Sequence, residues 1–165
     1  MSVTSVEKDP ESLTMTVTAE LDAAVERVWQ LWADPRQFER WWGPPGYPAT
    51  VVDFDLRAGG RITFFMAGTE GERHDSTWDV IAADPPHHLE LRDADVDDDG
   101  RPNDGNAMTA MLITFDERDG GGVVMAVRTH FDSEAGMEEV LATGFEEGMH
   151  IVFSQIEAVL AGTPA

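Results

Sequence analysis

Arg27 to Gly68 reads RVWQLWADPRQFERWWGPPGYPATVVDFDLRAGGRITFFMAG, and this stretch decides the fold. Val25, Val28, Trp29 and Trp32 fall on one face of a helix. Asp34-Pro35 stops that helix and opens a second, short one carrying Phe38, Trp41 and Trp42, because proline is tolerated at a first turn but not inside a helix. The pair Trp41-Trp42 runs straight into Gly43-Pro44-Pro45. Two indoles on the rim of a proline-rich loop point to a wall or lid for something apolar. A strand then enters the Gly59-Gly60 turn, and Arg61 to Ala67 follows with Ile62, Phe64 and Met66 on one face.

Upstream, Leu13, Met15, Val17, Ala19 and Leu21 alternate with polar residues, the period of a half-buried strand. Asp22 is the expected N-cap of the helix that follows. Residues 1–12 read as a flexible arm. Downstream, strands are predicted at Val51 to Leu56, Ser76 to Ala83 (Trp78, Val80 and Ala82 inward), Leu89 to Arg92, Met108 to Phe115 (Met111, Ile113 and Phe115 inward) and Val123 to Phe131. Gly and Pro turns between short strands make an antiparallel meander. A single long helix is predicted over about Ser133 to Leu160, its apolar stripe formed by Leu141, Phe145, Met149, Val152, Ile156 and Leu160. Gly144 and Gly148 lie on or beside that stripe, reading either as close approach to the sheet or as room for a ligand. This order of elements suits a strongly curved antiparallel sheet gripping one helix, with a tapering cavity between them.

Length and composition narrow the function. A chain of 165 residues is one domain, able to bury roughly 70% of its unfolded surface. Cysteine is absent, which excludes disulfides, thiolate metal sites and a thiol nucleophile. The 32 acidic residues outnumber 11 Lys and Arg for a net charge of −21, so nucleic acid and anionic membrane are disfavoured partners. The charge reads as a solvated acidic surface or as a face that docks a basic partner. No apolar run is long enough to span a bilayer and the N-terminus lacks the layout of a secretory signal, so a cytoplasmic location is the default.

Catalytic and metal motifs fail on inspection. Asp95-Val96-Asp97-Asp98-Asp99-Gly100 resembles the opening of a calcium loop, but Asn106 stands where a bidentate carboxylate is required and Pro102 where an apolar residue is usual. His74, His87, His88, His130 and His150 lack zinc-site spacing. Gly120-Gly121-Gly122 sits between strands as a hairpin turn. Glu138-Glu139 and Glu146-Glu147 are helix neighbours that do not face each other. No catalytic residue, metal or cofactor is expected.

Four segments, VWQLWADPRQFERWWGP, DFDLRAGGRITFFM, AADPPHHLEL and ATGFEEGMHIVFSQIEAVL, carry a resemblance to the activator of heat-shock-protein-90 ATPase homologue family of the START-like (SRPBCC) superfamily. The resemblance implies an α+β helix-grip (START-like, Bet v 1-like) fold over residues 13–161, with two short helices after the first strand. It matches Trp41, Trp42, Gly43 and Pro44 to the family's cavity mouth, Gly59 and Gly60 to its glycine turn, and Gly144 and Gly148 to glycines of its last helix. The family often has tryptophan where Met149 stands and glycine where Trp78 stands. Joined to the inward faces above, this gives a cavity lined by Trp41, Trp42, Phe64, Met66, Trp78, Met111, Met125, Phe145, Met149 and Phe153. Flexible Met side chains suit an adaptable apolar ligand or an ordinary core equally. The expected function is non-catalytic binding of a hydrophobic small molecule. Its alternatives are a co-chaperone-like interaction module and an enzyme of the aromatase/cyclase or hydrolase kind. A homodimer is compatible with the sequence.

Overall fold

A computed structural model describes residues 3–42, 49–68, 70–71, 73–93, 108–142 and 144–160; within these, the side chains of residues 3–4, 73–76, 93, 108 and 145 lie outside the description. The acidic 95–106 segment, the Gly43-Pro44-Pro45 turn and the side chains of His74 and Phe145 therefore fall outside it. Eight antiparallel strands form one sheet in the order β1-β2-β8-β7-β6-β5-β4-β3. They are β1 (Val3–Asp9), β2 (Thr14–Leu21), β3 (Ala49–Phe54), β4 (Arg61–Ala67), β5 (Arg73–Asp84), β6 (His88–Asp93), β7 (Met108–Glu117) and β8 (Val123–Phe131). Helices α1 (Val25–Ala33) and α2 (Pro35–Trp41) follow β2, and α3 (Glu134–Ala142) and α4 (Phe145–Leu160) end the fold. No helix among the described residues is long and apolar enough to cross a membrane.

Alternation does what its period requires. Met15, Val17, Ala19 and Leu21 of β2 and Val123, Met125, Val127, Thr129 and Phe131 of β8 are all buried, facing α3 and α4. The two strands pair from Thr14↔His130 to Leu21↔Val123. Gly120, Gly121 and Gly122, all at positive φ, turn β7 into β8.

Four expectations are corrected. Residues 1–12 are not a free arm, since β1 pairs with β2 from Val3↔Ala19 to Asp9↔Thr14. A register shift between Val3 and Ser5 breaks the alternation that would have announced it. The α1 N-cap is Ala24, with no side-chain cap, rather than Asp22. The carboxy-terminal helix is two helices: Gly144, at φ +90°, ends the α3 turn through its N–H to Leu141 O (3.3 Å) and accepts from Gly148 N (2.9 Å) to start α4. The glycine is there for its left-handed backbone. Finally, a bulge between Val80 and Ala82 leaves Ile81 44% exposed and turns Ala83, rather than Ala82, onto the core.

The Gly59-Gly60 turn locks β3 and β4 to β5, with Gly59 N donating to Val80 O (2.9 Å) and Val80 N to Gly60 O (3.0 Å). A Cβ at Gly60 would overlap the Asp55 carbonyl oxygen. Gly60→Ala is therefore expected to lower stability by about 1–3 kcal/mol, the usual cost of overpacking. A lowered urea midpoint at unchanged slope is the readout, and an unchanged midpoint would count against this turn geometry.

Candidate functional site

The α1–α2 corner builds the site. Asp34 caps α2 by accepting from Arg36 N (3.0 Å), and Pro35 opens its first turn. The short helix then places Phe38, Trp41 and Trp42 on one side. Two polar contacts hold it in place: Val51 N of edge strand β3 donates to Glu39 Oε2 (2.7 Å), and Gln155 Nε2 of α4 donates to Trp41 O (2.9 Å). Arg27 Nη1 reaches Gln37, and its Nη2 donates to Val159 O (3.4 Å) near the end of α4.

An aromatic cluster fills the space beneath. Phe38 stacks on Trp42 at 5.4 Å and meets Trp41 (5.5 Å), Phe64 (5.7 Å) and Trp78 (6.0 Å) edge-on. Trp78 also packs edge-on against Phe64 (4.8 Å) and Trp42 (5.2 Å). Such edge-on pairs place a positive ring edge on a negative ring face.

Nine of the ten residues expected to line a cavity separate into two groups. Trp41, Phe64, Met125, Met149 and Phe153 are buried, at 5% exposure or less. Trp41 is thus core rather than mouth. Its indole N–H donates to Leu31 O (2.7 Å) and its ring lies edge-on to Trp32 at 4.7 Å. Met125 accepts from the Trp32 indole (3.4 Å). Trp42, Met66, Trp78 and Met111 are only half-buried although each packs against the core. Phe145 opens α4, but its side chain is outside the description.

Two of these four meet directly, since Trp78 lies edge-on to Trp42 at 5.2 Å, and Met66, Trp78 and Met111 share the inward face of the sheet. Ile62 and Phe64 are buried before Met66 on β4, and Ile113 and Phe115 are buried after Met111 on β7. Along the strands they are staggered: Ile62↔Trp78 sets Trp78 level with buried Ile62, four residues before Met66, and Val80↔Leu91 with Leu91↔Met111 sets Met111 two residues further the same way. The first turn of α4 reaches the level of Met111, where Lys8 Nζ of β1 donates to Glu146 Oε1 at 2.8 Å. Gly148 lies two turns before Gln155 on the flank of α4 that faces α2, and a Cβ built there would meet no described atom within 4 Å. Of the two readings weighed for Gly148, close approach to the sheet is not what the backbone shows.

Phe38 is the member that inspection of the sequence passed over as a site residue. Its three-residue offset from Pro35 is the signal, since it fixes which face of a two-turn helix meets the sheet. Around the site the chemistry is sparse. Among the described residues no group of three His, Asp or Glu side chains could hold a metal. His130 is held below its ordinary value, first by partial burial and then by the Arg128 charge. Glu146 is lowered by its bond from Lys8. His130 sits on β8 between inward-facing Thr129 and Phe131, so it belongs to the sheet's other face.

Known proteins with this architecture are numerous among solved structures. The protein Ms6760 from Mycobacterium smegmatis is 42% identical, with 98% of this chain and 99% of that one covered and a TM-score of 0.83. A protein from Arthrobacter aurescens is 39% identical over 99% of this chain and 94% of its own, with a TM-score of 0.86. The AHSA1 protein from Silicibacter pomeroyi, 21% identical with a TM-score of 0.64 over 90% of this chain, shares the fold. No curated protein matches. The model of the family described as Activator of Hsp90 ATPase homolog 1-like protein matches residues 22–161. With an eight-stranded sheet, a carboxy-terminal helix pair and that match over most of its length, the chain belongs to the Activator of Hsp90 ATPase homolog 1-like family and has its helix-grip, SRPBCC-type fold.

Proposed function

We propose that the protein binds a hydrophobic small molecule, without catalysis, on the inward face where Trp42 and Trp78 meet half-buried, with Met66 and Met111 half-buried on the same face of the sheet. The observation that carries this reading is that inward Met66, Trp78 and Met111 stay half-buried while their strand neighbours Phe64, Val80 and Ile113 are sealed, and that a Cβ at Gly148 would meet no described atom within 4 Å. Binding sites for small molecules are typically apolar and aromatic with few polar groups, and thioethers adapt to irregular ligands. Trp78 supports the reading because its three ring contacts hold it in place while leaving it partly uncovered.

Nile red is a suitable probe because it is neutral, and a net charge of −21 would repel an anionic dye. Its emission is expected to shift to the blue and saturate at one dye per chain, with affinity nearly unchanged between about 0.05 and 0.5 M salt. Native mass spectrometry of freshly purified protein is expected to show an additional small mass. Absence of both the shift and the mass would defeat the reading.

The acidic surface favours a second reading, a co-chaperone-like module that docks a basic protein partner. Association through such a charge would weaken steeply over that same salt range. The native spectrum also reports whether the chain is a homodimer.

A further inference from the structure

Among the described residues the buried polar side chains are Thr14 and Thr129. Thr14 is satisfied, since its hydroxyl lies 2.9 Å from Ser12 Oγ. Thr129 is 1% exposed, and among the described residues its hydroxyl has no hydrogen-bond partner. Its neighbours in the register are all apolar on the inward face. Met15 of β2 stands opposite on one side and Met111 of β7 on the other. Directly opposed side chains on one face of an antiparallel pair lie about 4.5–5.5 Å apart at Cβ. The hydroxyl is therefore one residue's width from Met111, a half-buried member of the proposed site. On the far side the site is closed, because α3 packs against β8 and Met137 and Phe131 are buried there.

A buried hydroxyl without a partner is uncommon, because it forgoes the hydrogen bonds it had in water. Valine would fill the same volume on a strand without that cost. We infer that Thr129 is the polar anchor of the site: the ligand is an apolar molecule bearing one uncharged hydroxyl or carbonyl group, which meets the Thr129 hydroxyl at the closed end. This rests on the binding reading above and narrows it. A purely hydrocarbon ligand would leave the hydroxyl unmet. A carboxylate ligand would need a cationic partner, and the one in this row, Lys8 two strands away, is already paired with Glu146 at 2.8 Å. A threonine hydroxyl both donates and accepts, so it serves an alcohol or a ketone equally.

The probes are 2-naphthol and 2-methylnaphthalene, nearly equal in shape and differing in one hydroxyl. The protein is expected to bind 2-naphthol about 5- to 10-fold more tightly, the range of one neutral hydrogen bond. Thr129→Val should remove that preference, and Thr129→Ser should keep it. If both probes bind and the ratio survives in Thr129→Val, the anchor is wrong and the binding reading stands. If neither probe binds, the two fall together. A separate measurement needs no ligand: Thr129→Val is expected to melt at the same temperature as the native chain or higher. A clear drop would mean that the hydroxyl already has a partner within the protein, which overturns the inference.

Discussion

Phe38→Ala is expected to lower the stability of the domain by about 3–5 kcal/mol, the range for truncating a buried phenylalanine. In a chain of this size that corresponds to a fall in melting temperature of roughly 10 °C. The site is 2% exposed and touches rings on α1, α2, β4 and β5, namely Trp32, Trp41, Trp42, Phe64 and Trp78. No small side chain lets all five collapse inward together, so a void remains and the cost sits at the upper end of the range. The near-ultraviolet circular dichroism should fall as well, because it reports the fixed asymmetry of those indoles. Phe38→Leu, which keeps most of the volume, is expected to lose much less. A melting temperature within 2 °C or so of the native value for Phe38→Ala would show that the cluster is not the keystone of the α1–α2 corner.

Gly148→Leu is expected to have the opposite sign on stability and a large effect on binding. Glycine inside a helix costs about 1 kcal/mol relative to a good helix former, and a side chain begun at this position meets no described atom. The variant should therefore melt a few degrees higher. The same leucine would project from the flank of α4 that faces α2, so Nile red affinity should fall at least about tenfold, an effect of roughly 1.4 kcal/mol. Loss of stability would mean that the space is not free. Gained stability with unchanged dye binding would place the ligand elsewhere.

How far the chain could be read from its residues follows from which forces are local. Arg61–Ala67 and Val123–Phe131 were delimited as they stand, because strict alternation between glycine-marked turns leaves little freedom. Strand β1 escaped notice for the opposite reason. It is an edge strand carrying Glu7, Lys8 and Asp9, and edge strands are kept polar. The α3–α4 break was hidden because Leu141 and Met149 continue one apolar stripe across it, so Gly144 looked like a weak helical residue. Trp41 and Trp42 are adjacent and equally apolar. Only the tertiary contacts, a carbonyl for one indole and a stack on Phe38 for the other, send one into the core and leave the other half-buried. The inward faces were legible from period. Which inward residues stay half-buried was not, because that depends on where the helices settle on the sheet.

The pairing of β2 with β8 also sets an order for synthesis. Thr14 finds His130 and Leu21 finds Val123, so β2 emerges from the ribosome more than a hundred residues before its second neighbour exists. At about 5–20 residues per second, that interval lasts several seconds. Strands β3 to β7 pair with chain neighbours and can assemble as they appear. Meanwhile β1 and β2 have only each other, with Met15, Val17 and Leu21 uncovered until α3 and α4 arrive. A nascent chain of this fold therefore carries the inward face of β2 uncovered throughout that interval. Among its own residues, the abundant carboxylates that keep other chains at a distance are the main protection during that wait.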